Sequence, residues 1–232
     1  MSFPIDENLG NSNFSSASLK QKAYLALQKS ILDLEFRPGQ LLRKNNLCNR
    51  FGISRTPLSE AIALLVQDGL VEVVPQAGTY VARFSMEDLL EGAFIREAIE
   101  VAAIMKLAAI ITEPQLLELR RNLRLQRAFI DDGDGQGFYA LDAQFHAILL
   151  KSTGYKQLNR VADSAWMNVN RVRRLLLPIE GRLEATYNEH KKIYDELEQK
   201  NPTKAGQVLK GHLGQLITYV LPLEQEHPEY FV

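Results

Sequence analysis

The stretch FGISRTPLSEAIALLVQDGL, Phe51–Leu70, decides how this chain is read. It opens on a turn at Gly52, runs as a helix from Ser54 or Thr56 to Asp68, and stops at Gly69. Arg55 and Thr56 stand at the mouth of the helix, Pro57 in its first turn, and no acid appears before Glu60. Proline costs little there, because its missing N–H would have been unpaired. Backbone N–H groups and the positive end of the helix dipole favour phosphate at such an end. Arg55 can offer a fork to a guanine edge or to phosphate, and Thr56 a hydroxyl. Behind this tip Ile62, Leu65, Val66 and Leu70 form an apolar stripe. A capped surface helix with a chance arginine has the same composition, so the flanks decide.

Upstream, Ser18 is placed to cap a helix from Leu19 to about Leu34, with Tyr24, Leu27, Ile31 and Leu34 at helical spacing. Pro38-Gly39 breaks it, and a short helix from Arg43 to Phe51 ends at Gly52. Downstream, LVEVVPQAGTYVAR holds two β-prone runs, Val71–Val74 and Thr79–Ala82, joined by the turn PQAG. Three helices and a β-hairpin within residues 19–83 describe a winged helix-turn-helix. From Met86 strand signals cease, and periodic segments follow near 86–110, 113–131, 136–153, 155–177, 180–200 and 202–221, with breaks that include Gly154 and Pro178. They predict an all-helical antiparallel bundle over residues 84–222. The fold class is therefore mainly α. Residues 1–18, rich in Ser and Asn, read as a disordered arm, and residues 223–232 as a C-terminal tail.

At 232 residues and 46% hydrophobic content the chain has material for two cores. Its net charge of −1 hides an asymmetry: residues 19–83 carry 9 Lys/Arg against 5 Asp/Glu, and the remainder is mildly acidic. The single cysteine, Cys48, excludes an intramolecular disulfide and reads as a small buried residue of a reducing compartment. No apolar run approaches the roughly 20 residues of a membrane span, and the acidic N-terminus is unlike a secretion signal. The expectation is a soluble, cytoplasmic protein with no membrane partner.

RPGQLL…FGISRTPLSEAIALLVQDGLVEVVPQAGTYVA resembles the DNA-binding domain of the GntR family of bacterial transcription regulators over about 45 residues. The resemblance implies that Arg55 and Thr56 contact double-stranded DNA and that Gly78 sits in the wing tip. It also marks two departures. Ser59 stands where the family usually has an arginine, and RKNNLCNR replaces a more acidic helix. Arg43, Lys44 and Arg50 are then candidates for phosphate, and Asn45 for a base.

Three of the four histidines fall in patterned places. ALDAQFHAILLKSTG sets Asp142 and His146 four apart on one helical face, EATYNEHKKIYDEL carries His190, and GQVLKGHLGQL carries His212. One carboxylate and three imidazoles from three helices can converge on a divalent ion: zinc, nickel or iron by the imidazoles, manganese by the carboxylate. Each piece alone is equally an ordinary helix pair or a core histidine. Their order, with FIREAIE before them, resembles the FCD-type effector domain of the FadR subfamily over about residues 86–222. That resemblance implies Asp142, His146, His190 and His212 as ligands of a divalent metal (Zn, Ni or Mn), with sites left open for the carboxylate of a small organic acid effector. Arg96 matches the family's carboxylate-binding arginine, although Glu100 at i+4 offers it a plain salt bridge. Asn168, Asn170, Arg171 and Arg174, on the segment after Tyr155, are further pocket candidates, while Met105, Leu107, Phe145, Leu149 and Trp166 read as core.

The function implied is a ligand-responsive regulator, a homodimer on a pseudo-palindromic operator, and not an enzyme. A regulator whose metal is the signal or purely structural is the alternative. A metalloenzyme is a distant third, because Glu189 lies about 100° round the helix from His190 and is poorly placed as a base for the same ion.

Overall fold

Leu27 and Ile31, one turn apart, are fully buried on the inner face of the first helix, α1 (Ser16–Leu32), where it packs on the third. The computed structural model describes residues 16–176 and 179–232, and the chain divides between Ala82 and Arg83 into two units. The arm expected at the N-terminus falls, up to residue 15, outside the described residues, as does the break at Pro178. Helix α1 begins ahead of Ser18, so that residue lies within the helix instead of capping it.

In the first unit α2 (Lys44–Phe51) ends at Gly52, whose φ of 62° and ψ of 34° are left-handed, the conformation a non-glycine residue resists. Helix α3 (Arg55–Gln67) buries Leu58, Ala61, Ile62 and Leu65. Val66, expected in that stripe, is 40% exposed, because it lies a further 100° or so round the helix from Leu65. Tyr24 donates to Asp68 Oδ2 at 2.7 Å and ties α1 to the end of α3. The hairpin is β1 (Val71–Val74) with antiparallel β2 (Gly78–Val81), in register Val71↔Val81 and Val74↔Gly78. Leu42 N–H donates to the Thr79 carbonyl at 2.7 Å and Val81 N–H to the Gln40 carbonyl at 2.9 Å, so the segment before α2 lines the free edge of β2. Cys48 is half-buried, not buried as expected: the short α2 turns only Leu47 fully inward.

The second unit is a helical bundle: α4 (Met86–Ile110), α5 (Glu113–Asp131), α6 (Gly135–Ser152), α7 (Leu158–Ala165), α8 (Met167–Leu175), α9 (Arg182–Glu198) and α10 (Pro202–Glu226). Side-chain oxygens mark the starts of three of them. Ser85 accepts from Asp88 N–H, Asp134 from Gly137 N–H and Asn201 from Lys204 N–H. Helix α4 lies along α10, and α5 packs between α6 and α9. One core gathers Ile104, Leu107, Phe145, Leu149, Ile193 and Leu209, and a second gathers Leu89, Trp166, Val169, Val172 and Val220. Met105, expected in the core, is 41% exposed, its side chain lying over Gly206 at the edge of the contact between α4 and α10. The single long helix expected after Tyr155 is two, broken at Trp166 (φ −103°, ψ 7°), where the indole enters the second core.

Residues 223–232, expected as a tail, are built into this unit. Helix α10 runs on to Glu226, and Leu223 and Phe231 are both buried. Beyond a 3-10 turn at Pro228–Tyr230, Phe84 N–H donates to the Tyr230 carbonyl at 2.8 Å and Val232 N–H to the Phe84 carbonyl at 3.0 Å. The rings of Phe84 and Phe231 lie 5.6 Å apart. The chain end thus grips the residues that follow the hairpin. Among the described residues no helix is long and apolar enough to cross a membrane.

Burial of this kind makes the last residues part of the stability of the unit. Phe231→Ala should cost about 3 kcal/mol in denaturant titration of the full chain, as for a buried phenylalanine, while Val232→Ala, at a side chain 79% exposed, should leave the midpoint unchanged.

Candidate functional site

Helix α6 turns Asp142 and His146 inward, α9 contributes His190, and α10 contributes His212. All four are buried, and one ligating atom from each lies within 4.8 Å of the others. His146 Nε2 is 3.2 Å from His212 Nε2, and Asp142 Oδ1 is 3.4 Å from His190 Nε2 and 3.9 Å from His146 Nε2. Donors about 2.1 Å from one ion sit about 3–4 Å from one another, so the set has the dimensions of a coordination shell.

The outer nitrogens explain the orientation. His146 Nδ1 lies 2.5 Å from Glu100 Oε2, His190 Nδ1 lies 3.0 Å from Gln126 Oε1, and His212 Nδ1 lies 2.6 Å from Glu189 Oε2. Gln126 is held with its oxygen toward the ring because its amide nitrogen donates to Asn122 Oδ1 at 2.6 Å. Acceptors behind all three rings put the proton on Nδ1 and leave each Nε2 lone pair facing the centre. Two such lone pairs at 3.2 Å repel unless a positive charge lies between them. Asp142 Oδ1 and His190 Nε2 are buried with no hydrogen-bond partner among the described residues. Leaving such atoms unpaired costs about 1–3 kcal/mol each. The donor set fits a divalent cation.

Burial pushes the His146 and His190 imidazoles well below their usual range, helped by Arg96 in the first case and by His212 in the second. Burial also takes His212 down to about 3. Burial alone would raise the Asp142 carboxyl, but Arg173 and the three imidazoles outweigh it and hold it below the ordinary carboxylate range. The rings are therefore neutral, as metal ligands must be.

Two cavities flank the cluster. Arg96, Tyr139, Asp142, Arg173, Arg182 and His212 are on the wall of the first, and Arg96, His146, Trp166, Asn170 and Arg173 on that of the second. Arg96 is buried and donates Nε to Glu100 Oε1 at 2.6 Å, so the salt bridge offered by the sequence exists and the guanidinium still reaches both cavities. Of the polar candidates on the segment after Tyr155, Asn170 lines the second cavity, whereas Asn168 lines neither. Arg171 is fully buried away from both, 4.4 Å over the Phe84 ring, and burial brings its guanidinium down to about 10. Arg174 lies 4.2 Å over the Tyr139 ring. The cavity-facing guanidinium is Arg173, which donates to Asp142 Oδ2. Residues two apart lie about 200° apart on a helix, and the break at Trp166 resets the phase, so the sequence marked the segment but not the face. No local period in the sequence marks Glu100, Gln126 or Glu189 as supports of the rings. Glu189, read only as a poor base, holds His212 instead.

In the first unit Arg43, Lys44, Asn45, Arg55, Thr56 and Ser59 are all exposed around the start of α2 and α3. Arg55 Nη2 donates to Asn45 Oδ1 at 2.9 Å, so the two helices share one polar tip. Arg50 pairs instead with Glu35 at 2.6 Å. Gly78 begins β2 at a φ of 143°, and a Cβ there would meet Leu41 Cδ1 at 2.8 Å.

Residues 19–81 match the bacterial regulatory proteins of the gntR family, and residues 91–215 match the FCD domain. The HTH-type transcriptional repressor RspR of Escherichia coli (strain K12) is 30% identical over 213 residues, which cover 92% of this chain and 93% of that protein. A GntR transcriptional regulator from Rhodococcus sp. RHA1 superposes with a TM-score of 0.74 at 24% identity over 87% of this chain and 98% of its own. E. coli McbR/YncC does so with a TM-score of 0.75 at 20% identity over 89% and 98%. These two likenesses are of fold.

Imidazoles that stay neutral when folded but take up protons near 6.5 when unfolded make the unfolded state the better proton binder below that pH. Stability should therefore be full above about pH 6.5 and fall progressively as pH drops toward 4. Thermal melts of metal-free protein at pH 7.5 and pH 5 check this, and His190→Ala should flatten the difference.

Proposed function

Because the chain belongs to the GntR family of bacterial regulators and carries an FCD domain behind its winged helix, we propose that it is a ligand-responsive DNA-binding regulator whose bundle, loaded with a divalent metal, senses a small carboxylate. The family is one of transcriptional regulators, not enzymes. The single observation that carries the proposal is the inward convergence of Asp142 Oδ1 and three Nε2 atoms beside cavities lined by Arg96 and Arg173. Those four residues would hold Zn, Ni or Mn, and the ion would offer its remaining positions to a carboxylate. Arg96 and Arg173 orient that carboxylate by their forks.

Helix α8 is the element suited to relay occupancy. Arg173 reaches Asp142, while Arg171 covers Phe84, two residues beyond the end of the first unit. A carboxylate that competes with Asp142 for Arg173 would shift α8 and with it the residues that lead to the hairpin. The regulator is proposed to be a cytoplasmic homodimer on a pseudo-palindromic operator, since one reading head covers too few base pairs. An exposed row on α4, Leu90, Phe94, Ala98 and Ala102, supports such self-association, with Phe94 73% exposed.

Metal analysis of purified protein beside His146→Ala and His190→Ala, followed by titration with a panel of small acids, tests the reading. The parent should hold one ion per chain, and each variant should lose both the ion and the stabilisation by acid. Metal-loaded protein that responds to no acid would leave the metal as signal or scaffold, and protein that takes up neither Zn, Ni nor Mn would remove the site.

The reading head is tested separately. Arg55→Ala should weaken binding to duplexes selected from a random pool by about 1–3 kcal/mol, as for a lost bidentate base contact. Footprinting that finds the variant as tight and as selective as the parent would show that Arg55 does not read DNA.

A further inference from the structure

The first cavity beside the cluster has an uneven wall. Its charged and polar wall includes Arg96, Arg173 and His212 together with Arg182, the first residue of α9. Apolar surface comes from Phe138, Leu176, Leu183, Leu213 and Leu216. The two hydroxyls on the wall already donate inside the protein, Tyr139 to the Asn170 carbonyl at 2.6 Å and Thr186 to the Arg182 carbonyl at 2.9 Å. Arg182 is less settled. Its Nη1 is buried with no hydrogen-bond partner among the described residues: Glu189 Oε1 lies 3.5 Å away, an ion pair longer than a good hydrogen bond, while Oε2 of the same carboxylate meets His212. A buried guanidinium N–H without an acceptor is costly, and an anion in the cavity would supply one.

The charges of the site point the same way. Arg96, Arg173 and Arg182 are matched by Glu100, Asp142 and Glu189, and imidazoles that hold an ion are neutral. A divalent ion on the four ligands therefore leaves two positive charges uncompensated among buried side chains. A monocarboxylate would cancel one of them and leave Arg182 as it is.

We propose that the effector is a dicarboxylate with a hydrocarbon spacer, one carboxylate held at the ion by Arg96 and Arg173 and the other by Arg182. The apolar wall takes the spacer, and the committed hydroxyls leave little to recognise a polyhydroxy acid. Arg182 is then the residue that sets specificity. This rests on the metal-and-carboxylate reading above.

Calorimetric titration of zinc-loaded full-length protein tests it, comparing succinate, glutarate and adipate with butyrate, gluconate and inorganic phosphate. At least one dicarboxylate should bind about 10- to 100-fold more tightly than butyrate, the worth of a charge-assisted hydrogen bond. Phosphate carries the charge without the span, and gluconate carries hydroxyls with one charge, so both should fall with butyrate. Arg182→Gln should bring the preferred dicarboxylate down to the butyrate level while elemental analysis finds its zinc still in place. Should that variant fail to fold, Arg182→Lys and the ligand series on the parent decide. Butyrate, gluconate or phosphate binding as tightly as the best dicarboxylate overturns the inference while the effector reading stands, and so does a preference that survives Arg182→Gln. Protein that loads no zinc, or loads it and binds no acid, overturns both.

Discussion

Three imidazole Nε2 atoms face one point because an acceptor stands behind each ring. Glu100 from α4, Gln126 from α5 and Glu189 from α9 hold the Nδ1 protons, and Gln126 is itself held by Asn122. Without these supports a neutral imidazole has two tautomers and free rotation, and the cluster would be three polar rings in an apolar core. With them the lone pairs are aimed before any ion arrives. The same packing that buries the rings lowers their proton affinity, so orientation and protonation state have one origin.

The bundle around this point is shared between two cores, and α8 belongs to the second. Its Val169 and Val172 belong to the second core, its Arg173 reaches Asp142, and its Arg171 covers Phe84. Phe84 is in turn paired with the end of the chain through Tyr230 and Val232. A helix of nine residues that touches both a candidate ligand and the segment following the hairpin is well placed to convert a change at one into a change at the other. The break at Trp166 lets α8 take an orientation that a continuous helix would forbid.

In the reading head the polar tip is shared. Asn45 of α2 accepts from Arg55 of α3, which limits the guanidinium to few orientations. The hairpin is fixed from its free edge by residues 40–42, so Gly78 and the turn before it are presented on a supported strand pair. Gly78 itself is held at a φ of 143°, which side-chain-bearing residues rarely adopt, so the entry into β2 depends on glycine there.

Local pattern was enough for most of the architecture. Gly52, Gly69 and Gly78 and the 3.6-residue periodicity act over a few residues, so the winged helix-turn-helix and the helical bundle were legible, while Asp142, His146, His190 and His212, which converge in the structure, stood out as a set chiefly through the resemblance of their order to the FCD-type domain. What needed the tertiary structure were contacts between segments distant in the chain. Arg173 takes the place given to Arg171 because the phase of α8 is set by the burial of Trp166. Glu100 and Gln126 meet rings 46 and 64 residues away, a pairing that no local period encodes. Phe231 is buried because Phe84 offers it a backbone edge and a ring, although residues 223–232 alone read as a tail. Periodicity determines which face of an element is apolar; only packing decides which distant residue that face will meet.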